Sequence, residues 1–142
     1  MQKEELKSKI FEVMKNYPIG SVATIKDGNP WVRYMAMHPE GDLTIYAPTF
    51  ASSRKIGQIK KNNNVHIAFG ADPKNWMLPY INVIATAEVL TDLETKKKCW
   101  DDLLAQFFKD PEDPDYVVIK ATPSMIEYWA TGAMEPEIYK PE

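Results

Sequence analysis

At 142 residues the chain is long enough for one domain with a substantial core, and its 44% hydrophobic and 26% charged residues are ordinary for a globular protein. A formal net charge of −3 excludes a general nucleic-acid or membrane-surface binder, which would be basic. The single cysteine, Cys99, excludes an internal disulfide and a cysteine-based metal cluster, and His38 and His66 stand too far apart for a ligand-spaced motif, so no metal site is expected.

Leu6, Ile10, Val13, Met14 and Tyr17 recur at helical spacing and predict an amphipathic helix over about residues 3–16, ended by Pro18. No apolar run or cleavage signature follows Met1-Gln2-Lys3-Glu4-Glu5, and no stretch has the length of a membrane span, so a cytoplasmic location is expected. Ile19 to Ile25 reads as a strand. Lys26-Asp27-Gly28-Asn29 carries an Asp-Gly hairpin signal, and Trp31 to Met37 is the return strand. Pro39 to Asp42 turns the chain into Leu43 to Ala47.

Ser53 to Lys61 predicts a short helix with Ile56 and Ile59 inward, broken by Asn62-Asn63-Asn64. Val65 to Phe69 alternates as a strand, and after a loop through Pro73 and Pro79 the longest strand pattern runs from Ile81 to Val89. Thr91-Asp92-Leu93-Glu94 resembles a capping box, opening a helix with Leu93, Trp100, Leu103, Leu104 and Phe107 on one side. An acidic loop, Asp110 to Asp115, precedes two last strands, Tyr116 to Ala121 and Met125 to Ala130, separated by Thr122-Pro123-Ser124. About seven strands and three helices without a repeat predict a single domain over residues 1–142. Its class is α+β, mainly β: an antiparallel six- or seven-stranded barrel with flanking helices.

The chemistry concentrates in Thr49-Phe50-Ala51-Ser52-Ser53-Arg54-Lys55. Hydroxyls, two adjacent cations and the free N–H groups of a helix N-terminus meet there, and all three bind anions. Arg33 sits on an earlier strand stripe with Trp31, Met35 and Met37, where a charge needs an anionic partner or a route to water. Together they point to a phosphate carried by something large, flat and apolar. The competing reading is an ordinary Ser-Ser helix cap followed by solvated charge, and Lys60 and Lys61 read as a solvated face. Cys99 reads as a buried structural thiol.

In this order and spacing the elements resemble the FMN-binding split-barrel superfamily typified by pyridoxamine 5'-phosphate oxidase, and within it the general stress protein 26 group. The resemblance rests on Arg33-Tyr34-Met35, Ile45-Tyr46, Ser53-Arg54-Lys55 with Gln58-Ile59, the asparagine-rich break, Ala85 to Val89 and Glu127-Tyr128-Trp129. It implies a split β-barrel and a homodimer with two FMN molecules at the subunit interface. Ser53, Arg54 and Lys55, aided by Thr49, would hold the phosphate. Arg33 would reach the ribityl chain or the isoalloxazine edge, and Met35 would border the ring. Tyr80 or Asn82 would touch the ring's polar rim. Trp129 would close the site from the partner subunit, with a core tryptophan as the alternative.

The family's vitamin-forming oxidases place a lysine for the substrate phosphate where this chain has His38. In place of their Tyr/Arg/Ser substrate constellation it has Phe107-Phe108-Lys109-Asp110-Pro111, and its tail ends Glu135 to Glu142 without their arginine and histidine. The resemblance thus carries the cofactor and not the substrate. No side chain stands out as a general acid or base, so no catalytic residue is named. The implied function is a stress-related, flavin-dependent oxidoreductase of unassigned substrate and redox partner. The alternatives are a non-catalytic carrier of flavin or another flat ligand such as haem, and a pyridoxine-phosphate oxidase-like enzyme.

Overall fold

Local signals set the first hairpin. Asp27 (φ 52°) and Gly28 (φ 77°) both take the positive φ of a type I′ turn, which joins β1 (Ile19–Lys26) to β2 (Asn29–Ala36) in antiparallel register. The computed structural model describes residues 1–70 and 72–142. Helix α1 (Lys3–Asn16) buries Leu6, Ile10, Val13 and Met14, the stripe their spacing predicts. The chain continues through β3 (His38–Pro39), β4 (Ile45–Phe50), α2 (Arg54–Lys61), β5 (Asn64–Phe69), β6 (Tyr80–Leu90), α3 (Leu93–Lys98), β7 (Tyr116–Trp129) and β8 (Glu137–Tyr139).

The strands form one eight-stranded sheet in the order β2-β1-β5-β6-β7-β4-β3, with β8 beside β7 and every pairing antiparallel. The sheet curls into a half-barrel, so that Met35 and Met37 near one end enclose a common interior with Ile45 and Ala47 near the other. Val22, Ile67, Val83 and Ile119 fill the middle, and Ile56 and Ile59 of α2 close the mouth. Strand alternation then sorts everything else. Arg33 and Met35 of β2 face inward, while Val32 and Tyr34 face outward and are exposed.

Three expectations are corrected. The two last predicted strands are one: β7 runs unbroken through Pro123, because the register with β6 shifts between Ile84 and Ala85. That bulge places Pro123 opposite Ala85 and Met125 opposite Ile84, leaving Ser124 extra, its hydroxyl donating to the Ile84 carbonyl at 3.2 Å. A bulge is where a strand tolerates a residue without an N–H. Second, the helix opened by Asp92 lasts only to Lys98. Asp92 does accept from the Thr95 N–H at 3.0 Å, but Asp101 starts a separate 3₁₀ turn, Leu104–Gln106, by accepting from the Leu104 N–H at 2.9 Å. Leu103 and Phe107 are consequently exposed, and only Trp100 and Leu104 pack against the satellite cluster of Cys99, Phe108, Tyr116 and Val118. That cluster covers the outer side of β7, which is why its first four residues are all buried.

Third, β4 begins at Ile45 rather than Leu43 and extends to Phe50, passing through Pro48. β3 covers only Ile45 and Tyr46, so Pro48 lies where β4 is an edge, the position at which a sheet accepts proline. β3 and β8, of two and three residues, are too short to show alternation.

Gly20 marks the tightest approach inside the half-barrel. A Cβ there would lie 2.5 Å from the Ala68 carbonyl oxygen and 2.8 Å from the Met37 methyl. Gly20→Ala is expected to lower stability by about 1–3 kcal/mol, the usual cost of overpacking. An unchanged midpoint in urea unfolding would contradict this packing.

Candidate functional site

The site begins as a buried polar network under α2. Thr24 is fully buried on β1, and its hydroxyl donates to Gln58 Oε1 at 2.5 Å, across to the helix. Arg33 Nη1 donates to Thr24 Oγ1 at 2.7 Å, to the Trp31 carbonyl at 3.0 Å and to the Val22 carbonyl at 3.2 Å. Its Nη2 donates to Gln58 Oε1 at 3.1 Å. The guanidinium is therefore fixed at the barrel mouth, and every one of these acceptors is neutral.

Its charged neighbours are cations. Partial burial and then the positive charge of Arg54 push the Arg33 pKa down; burial and then Arg33 push the half-buried Lys55 ammonium down. The ion pairs among the described residues join the N-terminus to Glu137, His38 to Asp101 and Lys98 to Glu40, and none includes Arg33, Arg54 or Lys55. Three like charges from two elements thus converge without an ion pair among the described residues; the Asp115 carboxylate reaches the turn just before α2, its Oδ1 accepting from the Ser52 N–H at 3.3 Å. Such an arrangement costs stability unless an anion joins it.

The start of α2 adds donors. Ser53 occupies the N-cap position, yet its hydroxyl turns back to donate to the Phe50 carbonyl at 2.8 Å and caps nothing. The Ser53 N–H bonds the Phe50 carbonyl and the Ile56 N–H the Ser53 carbonyl, while the N–H groups of Arg54 and Lys55 have no acceptor among the described residues. Ser53 therefore stands at the N-cap without a side-chain cap bond, Arg54 is exposed, and the free N–H groups are suited to an anion. Thr49 is buried on the inner face of β4 shortly before this turn. Met35 is buried beside Lys55, forming apolar floor.

Tyr80, Asn82 and Trp129 lie elsewhere. They sit on the outer face of the sheet, opposite the face that carries Arg33 and Met35. Tyr80 stacks on Trp129 with ring centroids 5.8 Å apart and planes 5° apart. Glu127 Oε1 accepts from Asn82 Nδ2 at 3.2 Å and from the Trp129 indole N–H at 3.5 Å. The thickness of the sheet separates this group from Arg33, so one protomer does not bring the expected residues into one site. Trp129 is not a core residue; it is half-buried against Tyr80 on the outer face. His38, at the position of the family's substrate-binding lysine, lies 3.9 Å from Asp101 on the exposed surface.

Thr24, Gln58 and Glu127 are the site residues that sequence reasoning passed over. The available signal was a glutamine one turn after Arg54, on the same helix side as Ile59.

The sequence matches the pyridoxamine 5'-phosphate oxidase family over residues 6–130. The chain belongs to that family. It is 33% identical over 136 residues to general stress protein 26 of Bacillus subtilis (strain 168), with 96% of each chain covered. The crystal structure of general stress protein 26 from Bacillus anthracis str. Sterne is 31% identical, with a TM-score of 0.82 over 96% of this chain and 98% of that one. A pyridoxamine 5'-phosphate oxidase-related, FMN binding protein from Nostoc punctiforme PCC 73102 shares the fold at a TM-score of 0.74 but only 12% identity, over 97% of this chain and 91% of that one. The matched family span includes Arg33, the Ser53-Arg54-Lys55 turn and Trp129, and leaves out β8. No helix among the described residues is long and apolar enough to cross a membrane.

Lys55 offers a direct check on the cation cluster. Its folded pKa lies below the ordinary 10.5, so the folded state binds fewer protons than the unfolded one just below that pH. Stability from this group therefore rises as pH climbs toward 10.5, and a bound anion works the other way by raising the pKa. An NMR titration of the Lys55 side chain should give a midpoint below 10.5 in ligand-free protein, moving up when a phosphate monoester is added. A ligand-free midpoint at or above 10.5 would remove the like-charge argument.

Proposed function

We propose that the protein binds FMN and acts as a flavin-dependent oxidoreductase of unassigned substrate. The observation that carries this reading is the convergence of Arg33, Arg54 and Lys55, none of them ion-paired among the described residues, on the start of α2, where the Arg54 and Lys55 N–H groups are free. A phosphate monoester carries a charge of about −1.5 to −2 near neutral pH and accepts several hydrogen bonds, which suits two arginines, a lysine and backbone N–H groups. Arg33, Arg54, Lys55, Ser53 and Thr49 would hold the phosphate, and Met35 would supply apolar floor. Family membership supports the reading, as does the Nostoc FMN binding protein to the extent that the same fold houses that cofactor.

When bound, the flavin supplies hydride or electron transfer, and the chain supplies position and electrostatics. The fixed guanidinium of Arg33 needs no rearrangement to meet an anion, because its four hydrogen bonds already orient it.

The outer face supports a homodimer. Ile19, Val32, Tyr34 and Ile84 are exposed there, a stripe of large apolar side chains that water does not favour. In a dimer that covers this stripe, Tyr80, Asn82 and Trp129 of one protomer would approach the flavin held by its partner, uniting the two groups that a single sheet keeps apart. The soluble cytoplasm is the proposed location.

The test titrates ligand-free protein with FMN and with riboflavin, which lacks the phosphate. Wild type should prefer FMN strongly, and Arg54→Ala with Lys55→Ala should weaken FMN by about 2–5 kcal/mol, the range for charge-assisted bonds to an anion. Solvated helix cations would change it by about 0.5 kcal/mol or less. Equal wild-type affinity for both ligands would overturn the phosphate assignment. On the same samples, light scattering should report a dimer, and reduction by nicotinamide nucleotides with turnover would separate an enzyme from a carrier.

A further inference from the structure

Helix α2 has a second use. Its face away from the barrel lines a groove of about 420 Å³, whose opposite wall is the β1–β2 hairpin turn. Lys26 stands on the hairpin wall, and Arg54 and Lys61 stand on the helix wall. None of these three has an ion-pair partner among the described residues. Arg54 and Lys61 are seven residues apart, so they share a face at about 10 Å along the axis.

Between them lies Gly57, in the middle of the helix, where glycine costs about 1 kcal/mol relative to alanine. No packing demands it, because a Cβ at Gly57 would meet no atom within 4 Å. Its effect is to leave bare helix backbone on the groove wall between Arg54 and Lys61. Two amides line the groove. Gln58 Oε1 is taken by Thr24 and Arg33, so Gln58 offers only N–H donors, while Asn62, whose Oδ1 accepts from the Asn64 N–H at 3.1 Å, offers its amide N–H groups as well.

We infer that this groove is a second ligand site, which takes a phosphorylated nucleoside: a flat ring with acceptor atoms over the bare backbone at Gly57, and phosphate at Lys26 and Lys61. The volume lies within the range of small-ligand sites. Asp27, the carboxylate on the hairpin wall, opposes such a ligand and sets a sign that can be tested. The inference is independent of the flavin reading, since the groove runs along α2 beyond the residues assigned to the flavin phosphate and shares only Arg54 with them.

The experiment titrates the flavin-loaded protein calorimetrically with adenosine, adenosine 5'-monophosphate and adenosine 2',5'-bisphosphate. Affinity should rise about tenfold with each phosphate, as charge-assisted contacts are added. Lys26→Gln with Lys61→Gln should erase most of that gain, and Asp27→Asn, which keeps a residue suited to the turn, should tighten binding about threefold. Gly57→Leu should fold at least as stably in urea yet bind the bisphosphate about tenfold more weakly or worse, since leucine favours helices and fills the groove. All of these variants should retain FMN affinity. Competition by a nicotinamide dinucleotide phosphate, and not by its unphosphorylated form, would identify an electron donor as the source of the nucleotide; absence of competition would identify a free nucleotide. Equal wild-type affinity for adenosine and its bisphosphate, or unchanged binding in Gly57→Leu, would overturn the proposal. Loss of FMN affinity in wild type would instead strike the flavin reading alone, because the nucleotide titration can be run on ligand-free protein.

Discussion

Arg33 is the constraint around which the site is built. A guanidinium cannot shed its proton under ordinary conditions, so placing one on an inward strand face requires acceptors on every side. β1 supplies the Val22 carbonyl and the Thr24 hydroxyl, β2 the Trp31 carbonyl, and α2 the Gln58 amide. Those bonds engage Nη1 and one N–H of Nη2 without cancelling the charge, and leave the Nε–H and the second Nη2 N–H without an acceptor among the described residues. They also tie α2 to the hairpin, so the helix that carries Arg54 and Lys55 is docked by the same group whose charge it reinforces. The polar network thus does structural work and leaves a net positive field at the mouth of the barrel.

The curl of the sheet follows from the same alternation that places Arg33. Met35 and Met37 share its inward stripe and meet Ile45 and Ala47 from the opposite end, which closes the interior below the guanidinium. Every outward residue of β2 then points away from that interior, and this is why Tyr34 and Val32 remain exposed. A ligand whose charged end lies at Arg33 has the exposed Trp31 ring of the same strand beside it, whereas Tyr80 and Trp129 would reach it only from a second chain.

Most strands were legible because one face is buried and the other wet, which writes period two into Ile81 to Val89 and Val65 to Phe69. The Asp27-Gly28 turn was legible because few residue pairs tolerate two positive φ angles in succession. Pro123 misled for a physical reason: it reads as a breaker, and only the partner strand's register shows the bulge that accommodates it. The helix after Asp92 misled because its cap is real while the chain leaves it at Cys99, and Asp101 then accepts from the Leu104 N–H ahead of a separate 3₁₀ turn. At the site, the cations were legible by type. The backward turn of the Ser53 hydroxyl, the role of Gln58 and the opposite facing of Tyr80 and Trp129 depend on tertiary placement, which no local pattern records.

In the proposed complex the cation cluster holds the flavin phosphate as a dianion. The second ionisation of a free phosphate monoester falls near pH 6, and converging positive charge lowers it. A phosphorus NMR titration of the FMN complex measures that ionisation on the group itself. The account predicts a resonance that keeps its dianionic position down to about pH 5 or below, with no step near pH 6. A bound phosphate that titrates near pH 6, like the free cofactor, would contradict it.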